Sequence, residues 1–230
     1  MLSTSDLTFI EKKGITAEMI DAQLKRFEVG FPFLKINAVA TIGNGIKAFS
    51  PEETAACVKA WSDFQQTGKA IEKFVPASGA ASRMFKNMFA FASSGKDAPT
   101  TDFEKEYFEN ITKFAFYADL NNACRKLYRS NVQELMSAGR YVDVVKAMLE
   151  PEGLNYGFLP KALLKFHKTT GGNAHTPLEE HLEEGAQYAA DKNRKVNLHF
   201  TVSPEHKAEF EKLLTAKLPI YEQVWGVKYN

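Results

Sequence analysis

The stretch Lys73-Phe74-Val75-Pro76-Ala77-Ser78-Gly79-Ala80-Ala81-Ser82-Arg83-Met84-Phe85-Lys86 holds the residues best suited to chemistry. Its apolar run ends at Pro76, and nothing larger than a proline ring follows before Arg83. A strand, a loop of small residues and a helix is an arrangement that binds phosphate. Backbone N–H groups of the loop point at the anion, and the helix dipole adds partial positive charge. Small side chains at Ala77, Ser78, Gly79, Ala80, Ala81 and Ser82 let a phosphate reach the backbone, and Gly79 is able to take a positive φ. Arg83 and Lys86 fall in or near the first turn of the expected helix, where a cation opposes the dipole at about 0.3–1 kcal/mol. A bound polyphosphate reverses that sign, and Arg83 can bond it bidentately. The opposing account is a tight strand–helix turn whose small residues serve close packing and whose cations are solvated. The stretch lacks G-x-x-x-x-G-K-[ST], and with Gly79 as its one glycine it is not a dinucleotide fingerprint either.

The elements that position this loop read as a mixed α/β chain. Residues 3–29 predict two short helices broken at Gly14, with Ile15, Met19, Ile20, Leu24 and Phe27 as an apolar stripe. An extended segment follows, with Asn44-Gly45 as a turn signal. Ser50, Pro51 and Glu53 open a helix that Gly68 stops. Residues 71–75 are a strand, and a helix runs from the loop to about Ser93. Thr101 to Leu149 is almost wholly helical, with capping boxes at Thr101/Glu104 and Ser130/Gln133. Ala162 to Lys168 reads as a strand, Thr176–Glu179 starts a helix, and Lys195 to Ser203 is a buried strand. Ser203-Pro204 starts a helix to about Leu218, and Trp225 to Asn230 is the beginning of another strand. Alternation from residue 71 predicts a mostly parallel sheet with flanking helices. The expected domains are a helical segment 1–70 and an α/β domain 71–230 with a helical insertion at 100–150. Because the last strand only begins, the α/β domain is expected to be incomplete.

Composition sets bounds. The 230 residues carry a net charge of +1, which argues against a polybasic nucleic-acid or membrane binder. The 18 phenylalanines are expected mainly in the core. Two lone cysteines, Cys57 and Cys124, with no secretory signal pattern and no membrane-length apolar run, point to a cytoplasmic protein. His175, His181 and Glu184 invite a metal reading, but no third close ligand completes a zinc-type pattern, so surface or capping roles are expected. Lys165, His167 and Lys168 are expected to be solvated, and Ile42-Gly43-Asn44-Gly45-Ile46 a plain turn.

From Val75 to Met84 the loop resembles the signature of the sugar nucleotidyltransferases, roughly L-A-[AG]-G-x-G-T-R-[ML] with a Pro-Lys further on. Gly79 matches the first glycine, Ser82 stands for the threonine, Arg83 for the arginine, and Ala81 replaces a glycine. Pro160-Lys161 resembles the family's Pro-Lys, residues 176–189 its next helix, and residues 196–214 the strand and helix after that. The whole chain also resembles the N-terminal part of an uncharacterised bacterial family. The resemblance implies a Rossmann-related fold and nucleotidyl transfer from a nucleoside triphosphate to a sugar phosphate. Residues 78–82 would cradle the phosphates, Arg83 would stabilise leaving pyrophosphate, and Lys161 would neutralise the α-phosphate or the attacking phosphate. It also implies Mg²⁺, held mainly by nucleotide oxygens and an aspartate. A non-catalytic nucleotide- or phosphate-binding module and a helical scaffold stand as alternatives.

Overall fold

Ser3 and Thr16 each accept a backbone N–H three residues ahead, and so start α1 (Thr4–Glu11) and α2 (Ala17–Val29). The computed structural model describes residues 2–169 and 171–230. Two units form, one reaching to Thr54 and the other spanning Ala55–Asn230. In the first unit, α1 and α2 bury no side chain among the described residues. Phe27, Val29, Phe31, Leu34, Ile36 and Val39 are exposed, and Phe33 is completely so. The Asn44-Gly45 turn joins two-residue strands β1 (Thr41–Ile42) and β2 (Gly45–Ile46).

Helix α3 (Pro51–Gln65) starts in the expected capping box, with Ser50 and Glu53 bonding each other's backbone N–H. Its C-terminal half packs in the second unit, where the Trp61 indole N–H donates to the Tyr188 carbonyl at 2.8 Å and Gln65 to that of Ala190 at 2.9 Å. Strand β3 (Glu72–Pro76) and the loop after it lead into α4 (Lys86–Ser93). Then come α5 (Asp102–Glu109), α6 (Tyr117–Tyr128), α7 (Val132–Ser137) and α8 (Tyr141–Leu149). These helices enclose the largest core, with Phe91, Ile111, Leu120, Leu135, Val144 and Met148 nearly or wholly inaccessible.

The capping box of α7 uses Asn131 and Glu134, one residue on from the expected Ser130 and Gln133. That register sinks Val132 and Leu135 into the core. Residues 162–168 do not form the expected continuous strand. Lys161–Leu163 is a 3₁₀ turn, closed by Leu163 N–H to Pro160 O at 3.0 Å and Leu164 N–H to Lys161 O at 3.1 Å. Ala162 and Leu164 enter different core clusters, which no flat strand would allow. Only β4 (His167–Lys168) is extended, and it pairs antiparallel with β5 (Ala174–His175). A short apolar run of this kind carries no periodicity of its own.

Helix α9 (Pro177–Tyr188) starts at the expected Thr176/Glu179 box. It lies against β6 (Lys195–Thr201) so closely that a Cβ on Gly185 would come within 2.9 Å of Val196 Cγ1. After a 3₁₀ turn at Pro204–His206, α10 (Lys207–Trp225) runs past the expected end at Leu218 and contains Pro219. The chain closes with β7 (Lys228–Tyr229). The main sheet has the order β3-β6-β7 and both pairings are parallel, with Val75 opposite Phe200 and Val196 opposite Tyr229. The chain is therefore mixed α/β with small sheets.

Two tests of this packing follow. A Cβ on Gly153 would sit 2.0 Å from the Ala147 carbonyl oxygen. Gly153→Ala is expected to cost about 2 kcal/mol or more in chemical unfolding, as overpacking against backbone does. Glu104, the closing residue of the α5 box, accepts N–H groups of Thr101 and Thr100 at 3.0 and 2.7 Å. Those bonds, helped by Lys96 and opposed by burial, hold its carboxyl at about 2, below the ordinary 4.5. Its contribution is therefore full above about 4.5 and is lost as pH falls towards 2. The stability gap between the wild type and Glu104→Gln should shrink over that window in acid unfolding curves.

Candidate functional site

The loop after β3 is fixed by burial at every fourth residue. Ala77, Ala81 and Phe85 are buried, while Ser78, Gly79, Ala80, Ser82, Arg83 and Met84 face outward. Ala77 joins Val75, Ala162, Leu178 and Phe210 in a small cluster at the carboxyl end of the sheet. Ala81 and Phe85 belong to the helical core. The backbone is tied down as well, since the Ala77 N–H donates to Thr201 O at 2.9 Å and the Met84 N–H to Ala81 O at 2.9 Å.

A backbone bond brings the second sequence element in. The Lys161 N–H donates to Gly79 O at 2.9 Å, and Ala80 and Pro160 face each other in an isolated antiparallel bridge. Lys161 is exposed, while Ala162 beside it shares the cluster that holds Ala77. Pro160-Lys161 and the loop therefore share one backbone surface, although 162–168 is not the strand expected after Lys161.

Two local expectations need correction. Arg83 is not in the helix: residues 82–85 form a turn and α4 begins at Lys86, so only Lys86 opposes the helix dipole directly. The cause is Ala81, whose carbonyl accepts the N–H of both Met84 and Phe85 and closes a turn before the helix starts. Phe85 precedes α4 and supplies no side-chain cap, so the first-turn N–H groups keep their donors. Gly79 is not among the positive-φ residues. A Cβ there would meet nothing within 4 Å, so neither backbone strain nor internal packing demands a glycine.

The donor inventory favours an anion. Among the described residues, the N–H groups of Ser78, Gly79, Ser82 and Arg83 donate to no other backbone group. Ala77 differs, because its N–H is spent on the sheet. Arg83, Lys86 and Lys161 enter none of the ion pairs among the described residues. Unpaired cations are not confined to this loop, since Lys195 of β6 also enters no ion pair among the described residues, but two other lysines are neutralised. Lys73 pairs with Glu184, which also binds His181 Nδ1 at 3.0 Å and the Tyr188 hydroxyl at 3.3 Å, tying α9 to β3. Lys73 and His181 hold the Glu184 carboxyl below its ordinary value against the effect of burial. Lys165 lies 2.9 Å from Asp119.

The histidines lie apart from this loop. Glu180 Oε1 is 2.6 Å from His167 Nδ1 and 3.2 Å from Nε2 of the buried His175. Among the described residues, no group of three or more His, Cys, Asp or Glu side chains is placed to hold a metal ion. Sequence reasoning missed the buried Glu179, which Lys217 approaches at 2.7 Å. Burial pushes the Glu179 carboxyl up, but Lys217 and the Thr176 N–H and hydroxyl outweigh it and hold it below the ordinary range. Its place in a capping box was legible, whereas its partner on a distant helix left no local signal.

Residues 3–230 match the family described as Domain of unknown function (DUF4301). The chain belongs to that family. No curated protein and no solved structure matches it. Among the described residues no helix is long and apolar enough to cross a membrane.

Because Arg83 and Lys161 are exposed and unpaired, they contribute little to folding. Arg83→Ala and Lys161→Ala should each leave the melting temperature within about 2 °C of the wild type, the range expected of surface changes in a chain of this size. Differential scanning calorimetry checks this.

Proposed function

We propose that this DUF4301 chain binds the phosphates of a nucleoside triphosphate on the 78–83 loop and transfers the nucleotidyl group to a sugar phosphate. The fold would then be a nucleotidyltransferase-like, Rossmann-related one. The observation that carries the reading is the bond from the Lys161 N–H to Gly79 O, which sets an unpaired lysine beside a loop of free donors. The open space at Gly79 and the position of the loop at the carboxyl end of a parallel strand support it.

An oxygen of the sugar phosphate attacks the α-phosphorus. The bond from that phosphorus to the bridging oxygen breaks, and pyrophosphate leaves with the electron pair. Such transfer needs positioning and charge neutralisation more than covalent help from the protein. Backbone N–H groups of Ser78, Gly79 and Ser82 hold phosphate oxygens, Arg83 and Lys86 take up charge on the leaving pyrophosphate, and Lys161 faces the α-phosphate or the attacking phosphate. Ala81 contributes backbone only, since its methyl group is in the core. Mg²⁺ comes from the resemblance alone. The described side chains offer it no cage, and the steps above use only the chain's own groups.

Calorimetric titration of nucleoside triphosphates with Mg²⁺ tests the proposal, first on the wild type and then on Arg83→Ala and Gly79→Val. Each variant should keep its stability and lose about tenfold or more in affinity, the worth of one charge-assisted contact. Pyrophosphate release on adding sugar 1-phosphates would establish transfer. Arg83-dependent binding without release would reduce the function to nucleotide binding, and absence of binding would remove the loop from consideration.

A further inference from the structure

A cavity of about 460 Å³ opens between the β4–β5 hairpin, α9 and the C-terminal half of α10. No residue of the 77–85 loop lines it. Its α10 wall is apolar and aromatic: Ile220, Tyr221, Val224 and Trp225. Ile220 and Val224 are exposed there, although α10 turns its other side to the core through Phe210 and Leu214. The opposite wall is α9, which presents Glu179 and Glu183.

The charges on these walls are unevenly compensated. Lys217 is the cation of the lining, and it is committed to Glu179 at 2.7 Å. Glu179 in turn spends its other oxygen on the Thr176 N–H and hydroxyl at 2.9 and 3.0 Å. His175, on the hairpin side, is engaged with Glu180. Glu183 differs from all of these. It is half-buried, it has no cationic partner among the described residues, and its hydrogen bond is a long one from Gln187 at 3.4 Å. Glu183 also lines a second cavity of about 440 Å³, which shares Thr169 and His175 with the first, so its carboxylate stands at the junction of the two. A half-desolvated carboxylate without a partner attracts a cation from solution. Tyr221 and Trp225, partly packed against the core, line the same cavity, and aromatic rings favour the same sign of charge. In the first cavity an anion would meet Glu183 with no free cation, because Lys217 is already neutralised, while Lys168, unpaired among the described residues, lines the second cavity.

We infer that this cavity is a binding site for an organic cation, an ammonium group carried on a compact apolar or aromatic body. The ammonium group meets Glu183, and the body lies against Ile220, Val224 and Trp225. The Tyr221 phenol, pushed up to about 12 by burial and then by Glu179, Glu183 and Glu180, stays a neutral hydroxyl that can bond the ligand. The volume suits a ligand of one or two rings.

The test is calorimetric titration of the whole chain with three probes of similar shape, 2-phenylethylamine, 2-phenylethanol and 3-phenylpropionate, and with benzyltrimethylammonium. The expected result is saturable binding of the two cations, about tenfold weaker binding of the alcohol, and none of the carboxylate. Glu183→Gln should weaken the cations about tenfold and leave the alcohol unchanged. Val224→Lys, at an exposed position on the rim, should abolish cation binding with no change in melting temperature. No saturation by either cation up to about 10 mM overturns the inference. So does binding of the carboxylate as tightly as the amine, or cation binding that Glu183→Gln leaves undiminished.

Discussion

A single backbone bond, from the Lys161 N–H to the Gly79 carbonyl, joins two parts of the chain separated by the whole helical block. Residues near both of its ends are anchored in the same small cluster. Ala77 precedes the loop, Ala162 follows Lys161, and Val75, Leu178 and Phe210 pack around them. The helical core supplies the other anchors at Ala81 and Phe85. The loop is thus a bridge between two separately packed regions, and its outward residues carry donors and cations with no internal obligations. Small residues at 77 and 81 are required for burial, whereas Gly79 lies over open space. One string of small side chains serves two purposes, close packing at some positions and access at others.

The pattern of charge compensation separates structural from available groups. Lys73, Lys96, Lys165 and Lys217 each contact a carboxylate and tie one element to another. Exposed pairs of this kind contribute at most about 1 kcal/mol, but the buried carboxylate of Glu179 makes its lysine hard to replace. Arg83, Lys86, Lys161 and Glu183 stand outside this scheme. These three cations lie on the loop, the start of α4 and the segment bonded to the loop, and the carboxylate stands in a cavity lined by α9 and α10.

Much of the fold was legible because its signals are local. Ser50/Glu53, Thr101/Glu104 and Thr176/Glu179 are reciprocal bonds between residues three apart, and a sequence shows them directly. β3 and β6 lie where strands were expected, but β6 was read as a buried strand and only Val196 of it is buried. Misreadings arose where tertiary packing chose between local options. Asn131 displaced Ser130 as a cap because Val132 and Leu135 needed the core. Residues 161–163 curled into a turn because Ala162 and Leu164 serve different clusters. For the candidate site, the loop and Pro160-Lys161 were visible as residue types, and the backbone bond between them was not. The pairs Lys73–Glu184 and Glu179–Lys217 left no trace in sequence, since nothing local links a strand lysine to a later helix.

The parallel pairing of β3 with β6 has a consequence for the order of assembly. The helices from α4 to α8 combine contacts between neighbours in the chain, which close at small entropic cost, with the more distant pairing of α4 and α8. β3 has no strand partner until residues 195–201 have been made, and the Ala77 N–H waits for Thr201. Ala81 and Phe85 belong to the core that these helices and the segment up to Phe166 build, so that end of the loop needs no later residue. The other end of the loop needs β6 beside β3 and Phe210 of α10 in the cluster around Ala77, so the shape of the loop depends on residues made more than a hundred positions later.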